Sequence, residues 1–555
     1  MDARKQVDTN GLSFMRLIEG RYYYVDKTLL VKDLLDHNAE GVYLYTRPRR
    51  FGKSTNISML DAFFNREYRG NTWFDGLLIS DHPECDVHKN AYPVIRINLK
   101  SLYTSGSEYS FFLDKMASTL QDTFRNFAYL LDSEKLLDSD KDLIRDILSV
   151  RAREGFMQTC ILKLCKFLEI HHGVKAVVLI DEYDSAVTRS MDDREVQKRI
   201  IGFLGEFMSS TLKNNDSLRM GYVTGVMQIA KAQMFSDVNN LTVNNIFSEM
   251  SEERFGFTES EVRKILNYYG KDDRFDEVRE WYDGYRFGNA EVYNPFSVMS
   301  YVSNGFKPED YWIDNTNNLA VEWLVDRVDL DTLGERANLV NGKEVIVDHI
   351  QASLTYDDLD GSGREELYSL MAMTGYLNAI PREGGGYTLA IPNSEVIRSV
   401  EKLLGKKIRI SGERSATFAR AVLDGDAAVM TSMLADILTN SSYFVLKDES
   451  SYENIVLALL HGMLGGYTVN QELEAGNGRA DLILKPDFPG GVPVIMEFKD
   501  ERSECDLEAS AEDAIAQIHS RKYYMGMHGK VVIIGLAFHV KTPCAKTEIL
   551  DLRSV

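Results

Sequence analysis

Hydrophobic runs in the first half of the chain alternate with amphipathic stretches, a pattern that predicts strands alternating with helices. The apolar runs lack a clean period of two, which is typical of parallel strands that helices cover on both faces. Amphipathic tracts at residues 155–170 and 196–213 predict two of the helices. The pattern therefore predicts an N-terminal α/β domain with a parallel sheet. Its four predicted strands are residues 41–46 (GVYLYT), 92–99 (YPVIRINL), 175–180 (KAVVLI) and 218–225 (LRMGYVTG).

The pattern changes near Tyr282, where WYDGYRFG and YNPFSV predict the end of this domain. Beyond Pro295 the chain reads as largely helical, as far as two short apolar runs that flank Gly384–Gly386 and predict a hairpin. Preceded by a helix, that hairpin fits either a winged-helix element or a plain structural hairpin. Helices are predicted again from Ser394 to Leu446. We therefore expect three domains, at residues 1–290, 291–392 and 393–555, the second being a helical or winged-helix-like connector.

The length, composition and charge of the chain limit the classes of protein to which it can belong. With 555 residues the chain is too long for a single core. Hydrophobic residues at 44% and charged residues at 26% are ordinary for a globular protein, and no apolar run reaches the roughly eighteen residues of a membrane span. The first residues lack the apolar segment of a secretory signal, and the five cysteines have no metal-ligand spacing, so we expect a reducing, cytoplasmic location. The net charge of −21 argues weakly against a general electrostatic grip on nucleic acid but leaves a local basic groove open.

A phosphate-binding motif follows the first predicted strand. In TRPRRFGKST the last residues, Gly52 to Thr55, open the helical stretch NISMLDAFF, and the order strand, loop, GK[ST] is the context of a P-loop. Backbone N–H groups and the positive helix end would hold phosphate oxygens, while Lys53 would reach the β- and γ-phosphates and Ser54 would ligate Mg²⁺. Arg47 stands where the general pattern has its first glycine. GKS by itself is equally consistent with a basic surface turn.

The strand KAVVLI leads into Asp181 and Glu182, a Walker B pattern. Asp181 would hold the Mg²⁺ through water, and Glu182 would act as general base for the attacking water. Because the strand at residues 92–99 lies between the two motifs in sequence, we expect another strand to separate them in the sheet. The following strand reaches Thr224, where a polar sensor of the γ-phosphate is expected. The residues expected to bind the nucleotide and its metal are Arg47, Arg49, Arg50, Phe51, Gly52, Lys53, Ser54, Thr55, Asp181 and Thr224.

A second set of polar residues lies towards the carboxyl end of the chain. Asp481 begins the apolar run DLILK, a Pro/Gly turn follows, and VPVIMEFK carries Glu497 and Lys499. Residues two apart on a strand share a face, so Glu497 and Lys499 would point into one pocket, with Phe498 turned into the opposite core. A hairpin would bring Asp481 beside Glu497, and two carboxylates held so close favour a divalent cation. The alternative is an ordinary ion pair on an exposed strand.

Metal-dependent phosphodiester cleavage is the chemistry that this set suits. A cation held by Asp481 and Glu497 would bind the scissile phosphate and lower the pKa of a bound water, which Lys499 would orient. Helices before and after the two strands present Glu453 as a further metal ligand and Gln517 as a further catalytic residue. The order helix, strand, strand, helix predicts a restriction-endonuclease-like α/β fold. The expected metal ligands are Ser54, Asp181, Glu453, Asp481 and Glu497, and the expected catalytic residues are Glu182, Asp481, Glu497, Lys499 and Gln517.

Seven segments resemble the bacterial AAA-ATPase-like family over roughly residues 8–290: YYVDKTLLVKDLL, LYTRPRRFGKST, LIDEYDSAV, TGVMQIAK, FSDVNNLT, FGFTESEV and WYDGYRFG. In that family the arginine-rich P-loop is the usual form, which implies that Arg47 is compatible with nucleotide binding. The family commonly has proline two residues after DEYD, where this chain has Ala186. Its members typically carry a C-terminal PD-(D/E)xK domain. Residues 390–545 resemble that domain, with the expected positions occupied by Glu453, Asp481, Glu497, Lys499 and Gln517.

The motifs and the resemblance together imply an ATP-binding and ATP-hydrolysing protein coupled to metal-dependent cleavage of nucleic acid, with DNA favoured over RNA. The implied cofactors are ATP and Mg²⁺, with Mn²⁺ as an alternative at the nuclease site. No membrane partner is expected, and a homo-oligomer is left open. Two alternative functions remain: a nucleotide-dependent switch or scaffold, and a nucleic-acid remodeller whose inactive nuclease-like domain only grips the strand.

Overall fold

The computed structural model of the chain describes residues 4–213, 215–227, 235, 240–312, 339, 344–354, 364–398, 400, 412–439, 449–460, 466–476, 478–501 and 506–552. The chain divides into two compact units, Met1–Leu324 with Ile346–Val396 and Val325–Val345 with Ile397–Val555, which we call the first and the second unit. The domain boundaries predicted at residues 290 and 392 stay predictions. Within the described ranges, no helix is both long and apolar enough to cross a membrane.

Five parallel strands form the main sheet of the first unit. They are β1 (Val42–Thr46), β2 (Val94–Asn98), β3 (Ala176–Asp181), β4 (Leu218–Gly225) and β5 (Leu241–Asn244). Their order in the sheet is β2-β3-β4-β1-β5. β1 and β3 are buried at every position, which explains why their sequences show no period of two. Since β4 lies between β1 and β3, the expected separation of the P-loop strand from the Walker B strand is confirmed.

Helices connect the strands of the first unit and extend it beyond the sheet. Asp193 caps the helix predicted at 196–213 by accepting from the N–H of Val196, and Thr258 and Glu261 form a reciprocal capping box further along. The helices are α1 (Phe14–Glu19), α2 (Leu29–Asn38), α3 (Lys53–Phe64), α4 (Tyr109–Arg125), α5 (Asp138–Leu148), α6 (Glu154–Met157), α7 (Cys160–His172), α8 (Ser185–Arg189), α9 (Arg194–Leu212), α10 (Glu259–Tyr269), α11 (Phe275–Tyr282), α12 (Pro295–Ser303) and α13 (Arg364–Thr374).

Two small sheets belong to the region predicted as connector and its entry. Their strands are β6 (Tyr285–Phe287), β7 (Ala290–Val292), β8 (Val345–Val347), β9 (Asn378–Pro381) and β10 (Tyr387–Ala390). β9 and β10 form the hairpin predicted around Gly384–Gly386, and β8 adds a third strand in the order β8-β10-β9. Gly386 has a φ of +75°, and a Cβ there would lie 2.6 Å from the carbonyl oxygen of Val347, so this turn requires glycine. The largely helical connector expected from the sequence therefore contains a sheet as well.

The second unit is a mixed α/β structure. Its strands are β11 (Tyr467–Ala475), β12 (Gly478–Pro486), β13 (Val494–Asp500), β14 (Gly529–His539) and β15 (Thr542–Leu552), and its helices are α14 (Gly412–Asp424), α15 (Ala427–Thr439), α16 (Glu449–Leu460) and α17 (Leu507–Arg521). The strands lie in sequential order and are antiparallel, except that β13 and β14 are parallel because α17 connects them in a crossover. Leu482 and Met496 pack with α14 to α16, whereas Ile483 and Ile495 pack with α17. The predicted α/β class is thus confirmed in both units.

Candidate functional site

The loop between β1 and α3 carries the P-loop residues. Gly52 is the N-cap of α3 with a φ of +82°, a left-handed conformation that favours glycine, and Arg50 also has a positive φ of +70°. Lys53 turns back over the loop, where its Nζ donates to the carbonyl oxygens of Arg47 at 2.9 Å and Pro48 at 2.8 Å. Burial lowers the pKa of Lys53, and nearby carboxylates oppose that shift. The amino group of Lys53 is thus buried, and its hydrogen-bond acceptors are carbonyl oxygens of the loop. A negatively charged ligand bound at the loop would lie close to this amino group.

Asp181, at the end of β3, joins three elements of the first unit. Its Oδ2 accepts from Ser54 Oγ at 2.7 Å, and its Oδ1 accepts from Thr224 Oγ1 at 2.6 Å. These residues meet because parallel strands end at the same edge of a sheet, where α3 also begins. Glu182 follows with a φ of +58°, a rare conformation for residues other than glycine, and lines the same cavity as Ser54. The hydroxyl of Ser54 and the carboxylate of Asp181 are hard oxygen ligands that fit Mg²⁺.

A cavity of about 310 Å³ opens at this edge of the sheet. The P-loop from Arg49 to Asn56 forms one side of it, together with Glu182 and Ser185. An aromatic and apolar wall faces the same space, contributed by Tyr23, Tyr24, Val25, Phe257, Phe296 and Met299. Basic side chains also line it, namely Lys27, Arg49, Arg50, Lys53, Lys100, Arg189 and Arg254. A cavity lined by both basic and aromatic side chains fits the triphosphate and the base of a nucleotide.

Two of these basic residues are already engaged by carboxylates. Lys27 pairs with Glu261 at 2.6 Å, and Arg254 pairs with Asp33 at 2.9 Å. Both pairs tie the segment after β5 to the N-terminal part of the unit, so Lys27 and Arg254 shape the cavity wall. Lys100 and Arg189 were not predicted from the sequence, since only the fold brings the loop after β2 and the end of α8 to the P-loop.

Arg47 has a different place from the other residues expected to bind the nucleotide. Its side chain is fully buried, its guanidinium donates to Asn244 Oδ1 at 2.6 Å, and the rings of Phe255 and Phe287 both lie 5.0 Å from it. It is not among the residues that line the cavity, whereas Arg49, Arg50 and Phe51 to Thr55 are. The structure therefore brings only the main chain of Arg47 to the site, through the hydrogen bond from Lys53.

Asp184 is a site residue that sequence reasoning missed. Its Oδ2 accepts from the N–H groups of Val226 at 2.9 Å and Met227 at 2.8 Å, the residues that follow Thr224 and the end of β4. Burial raises the pKa of Asp184 to about 6, and Glu182 adds to the shift. Asp184 thus fixes the position of the segment beyond Thr224. Its place as the fourth residue of the DEYD motif was the available signal in the sequence, but the N–H groups that bind Asp184 belong to residues far away along the chain.

In the second unit, the two predicted strands pair as expected. β12 and β13 are antiparallel with Leu482 opposite Met496, so Asp481 and Glu497 occupy neighbouring positions one step beyond that pair. Asp481 Oδ2 accepts from the N–H of Phe498 at 2.8 Å. Lys499 Nζ lies 3.6 Å from Glu497 Oε1, and the side chain of Glu497 is only 2% exposed. A buried glutamate excludes the interpretation of E-x-K as an ion pair on an exposed strand.

Helix α17 completes this second set. Gln517 Nε2 donates a hydrogen bond to Glu497 Oε1, so the structure brings these two predicted site residues together. The hydroxyl of Tyr523, just beyond α17, lies 3.4 Å from Gln517 Nε2. Burial raises the pKa of Tyr523, and Glu497 and Asp481 raise it further, so this phenol faces both carboxylates. The sequence indicates Tyr523 as a polar residue further along from Gln517 but gives it no role, because a side chain after the helix end cannot be assigned to a face from periodicity.

Asp481 and Glu497 together fit one divalent cation, since they offer two carboxylates from adjacent strands in a largely buried setting. Glu453 lies on α16, whose neighbours Tyr452 and Val456 pack in the core on the other face of the sheet from Ile495. In the described part of the chain, no group of three or more His, Cys, Asp or Glu side chains is arranged to hold a metal ion. The role of Glu453 as a ligand therefore stays a prediction.

The first unit thus places P-loop and Walker B residues at one edge of a parallel sheet, and the second unit places Asp481, Glu497, Lys499 and Gln517 together on a mixed α/β structure. Residues 11–235 match the family model described as predicted AAA-ATPase, and residues 447–548 match that of the PD-(D/E)XK nuclease superfamily. The resemblance to these two families that the sequence predicted is therefore confirmed over those two ranges.

Two known proteins show how far the similarity extends. An uncharacterized protein in the vnfD 5′ region of Azotobacter chroococcum mcd 1 is 27% identical over 518 residues, which cover 90% of each chain. A solved structure, that of a Walker-type ATPase of Pyrococcus abyssi, aligns at 14% identity with a TM-score of 0.34, over 68% of this chain and 95% of that one.

Proposed function

We propose that this protein hydrolyses ATP in its first unit and cleaves nucleic acid, DNA by preference, in its second unit with a divalent cation. The observation that carries the first activity is the carboxylate of Asp181, which Ser54 and Thr224 both contact beside a basic cavity. The second activity rests on the convergence of Glu497, Lys499 and Gln517.

In the first unit, different residues would bind the phosphates of ATP, hold the metal ion and activate the attacking water. Lys53 would exchange the carbonyls of Arg47 and Pro48 for the β- and γ-phosphate oxygens. Ser54 and Asp181 would hold the Mg²⁺ whose charge screens those phosphates. Glu182, beside them at the cavity, would accept the proton of the attacking water. The basic lining of the cavity supports a polyanionic ligand in a chain whose net charge is −21.

For the nuclease, Asp481 and Glu497 would hold a divalent cation, which supplies a Lewis acid for the scissile phosphate and a water of lowered pKa. Lys499 would orient that water and stabilise the charge that develops on the phosphate. Gln517 keeps Glu497 in position through its hydrogen bond to Oε1. Mg²⁺ and Mn²⁺ both suit two carboxylate ligands.

The ATPase is tested by Lys53→Ala and Glu182→Gln. We expect Lys53→Ala to lower phosphate release by about 100-fold or more, because the buried cation that faces the phosphates is lost. Glu182→Gln should lower release by a similar factor while ATP still binds, because only the general base is removed. Lys264→Ala, on the exposed face of α10, is the matched control. Wild-type protein that binds ATP but releases no phosphate would contradict hydrolysis and favour the switch or scaffold.

The nuclease is tested with plasmid and single-stranded substrates in Mg²⁺ and in Mn²⁺. We expect Asp481→Ala and Lys499→Ala to abolish metal-dependent cleavage, because the metal ligand and the group that orients the water are lost, and to leave folding and ATP turnover intact. Lys485→Ala, an exposed lysine on β12, should cleave as the wild type does. Unaltered cleavage by either site variant would refute the assignment, and strand binding without any cleavage would favour the gripping domain.

A further inference from the structure

Two successive P-loop residues are held by a part of the first unit that lies beyond residues 11–235, the range matched by the ATPase family model. The indole Nε1 of Trp312 donates to the carbonyl oxygen of Arg49 at 3.2 Å. The guanidinium of Arg50 lies 4.3 Å from the centroid of the Phe296 ring, within the range of a cation–π interaction. The phosphate-binding loop is therefore supported by residues more than two hundred positions downstream.

Glu395 connects these two supports to each other. Its Oε1 accepts from the backbone N–H of Trp312 at 2.7 Å, and its Oε2 accepts from Ser297 Oγ at 2.8 Å. Ser297 follows Phe296 in the first turn of α12, so one carboxylate holds both supports of the loop. Glu395 and Trp312 are 0% and 1% exposed, so water does not compete for these hydrogen bonds. We call Phe296, Ser297, Trp312 and Glu395 the P-loop clasp.

The hydrogen bond from Trp312 fixes the orientation of one peptide unit in the P-loop. Arg49 and Arg50, which this peptide unit joins, both line the nucleotide cavity, whereas Trp312 does not. In a trans peptide the C=O and the following N–H point in opposite directions. The hydrogen bond from Trp312 therefore also fixes the direction of the N–H of Arg50, in a loop whose backbone donors bind phosphate oxygens.

We propose that Trp312 and Glu395 are positioning residues of the nucleotide site and hold the P-loop in its phosphate-binding conformation. The inference rests on the proposed binding of ATP at Lys53. Neither residue touches the reacting atoms, so their loss weakens the binding of substrate and transition state alike. The KM for ATP then rises while kcat stays nearly constant.

The test is Trp312→Phe in the full chain, with ATP and Mg²⁺ as the probe. Phenylalanine removes the N–H donor and keeps an aromatic ring against Tyr376, whose centroid is 5.1 Å from that of Trp312. The loss of one hydrogen bond in a buried setting should raise both the Kd measured by calorimetry and the KM by about 5-fold, with kcat within about 2-fold of wild type. Trp281→Phe, on α11 and outside the clasp, is the matched control and should match the wild type.

Glu395 provides the second arm of the experiment. Glu395→Gln keeps an oxygen to accept from Trp312 and gains an amide that bonds Ser297 Oγ, so its KM should stay within about 2-fold of wild type. Glu395→Ala loses both hydrogen bonds and should raise the KM as Trp312→Phe does. The double variant should bind ATP more tightly than independent effects would predict, because both changes release the same loop.

Failure of this inference differs from failure of the proposed function. If Lys53→Ala weakens ATP binding but Trp312→Phe and Glu395→Ala bind as the wild type does, or lower kcat at constant KM, the positioning role is overturned alone. If the wild type does not bind ATP, both are overturned. Should Trp312→Phe not fold, Ser297→Ala carries the test, with an expected rise in KM of about 3-fold and an unchanged KM as the refuting result.

Discussion

Glu395 keeps a carboxyl group in the interior of the first unit, where burial raises its pKa to about 8. The donors Trp312 and Ser297 oppose the shift, and Asp310 adds to it. The tyrosines that face Glu395 have raised pKa values of their own and stay neutral in this range, namely Tyr282, Tyr285 and Tyr311. Because the folded state holds the Glu395 proton more tightly than the unfolded state, this group's contribution to stability is complete below pH 4.5 and is lost as the pH rises through 8.

Glu395→Gln removes this titration while keeping the shape of the side chain. We expect the free energy of unfolding of the wild type to fall relative to that of Glu395→Gln between pH 4.5 and pH 8, the window set by the unfolded and folded pKa values. Urea unfolding at several pH values measures the difference. Asp310→Asn, which should leave most of the slope because burial is the main cause of the shift, is the control. Parallel stability curves for wild type and Glu395→Gln would contradict the shifted pKa.

The sequence indicates site residues wherever a local rule applies. Glu497 and Lys499 could be placed on one face because side chains alternate along a strand, and Lys53 because it opens a helix after a strand. Asp184 and Tyr523 could not be placed, since their partners come from another strand or from across a helix end. The position of a residue in a motif does not indicate where its side chain points. Arg47 lies in the P-loop motif, but its side chain packs among aromatic residues of the core.

At the scale of elements, the second site depends on how closely α17 approaches the sheet. Gly535 on β14 pairs with Glu497 on β13, and a Cβ at Gly535 would lie 2.1 Å from the carbonyl oxygen of Ala511 in α17. The helix backbone therefore rests on the sheet directly beside Glu497. This close contact is what allows Gln517, which follows Ala511 along α17, to reach the carboxylate of Glu497.

Gly535→Ala should separate α17 from β14. We expect it to destabilise the protein by about 1–3 kcal/mol through overpacking and to lower cleavage, because Gln517 would lose its hydrogen bond to Glu497. Calorimetric melting and the plasmid assay measure the two effects. Gly202→Ala in α9 is the matched control, because a Cβ there meets open space, and helix propensity favours alanine. A Gly535→Ala protein that melts and cleaves as the wild type does would show that the helix has room to move.

Helices and strands could be predicted from the sequence where the element is long and its hydrophobic pattern is clear. The buried strands β1, β3 and β4 and the helix α9 appear close to their predicted bounds, because long apolar or amphipathic runs leave few alternatives. The strand β8 was missed because its three residues are too few to display a period. Its pairing with β10 comes from contacts between residues far apart in sequence, which one sequence does not reveal.

At the scale of the whole molecule, two sets of site residues share one chain. The chain passes between the two units three times, at Leu324–Val325, Val345–Ile346 and Val396–Ile397. The last passage begins at Val396, the residue next to Glu395, which belongs to the P-loop clasp. A movement of the P-loop clasp would therefore take place close to a position where the chain passes from one unit to the other.

We predict that nucleotide bound in the first unit changes cleavage in the second. ATP with Mg²⁺ should raise the cleavage rate by about 5-fold or more over protein without nucleotide, a typical strength of coupling between two sites. Lys53→Ala should remove the effect of ATP without removing basal cleavage, and Lys499→Ala should leave ATP turnover intact. Cleavage rates and DNA affinities that are the same with ATP, with ADP and in Lys53→Ala would refute the coupling.

Arg47 occupies the position that glycine holds in the general phosphate-loop pattern, and its guanidinium is enclosed by Phe255 and Phe287. A genome survey that scores glycine spacing would therefore discard this chain. A better search pattern would combine arginine before the loop proline with the downstream asparagine and aromatic residues that receive it. Such a pattern records the tertiary setting of the loop, which the short motif alone omits.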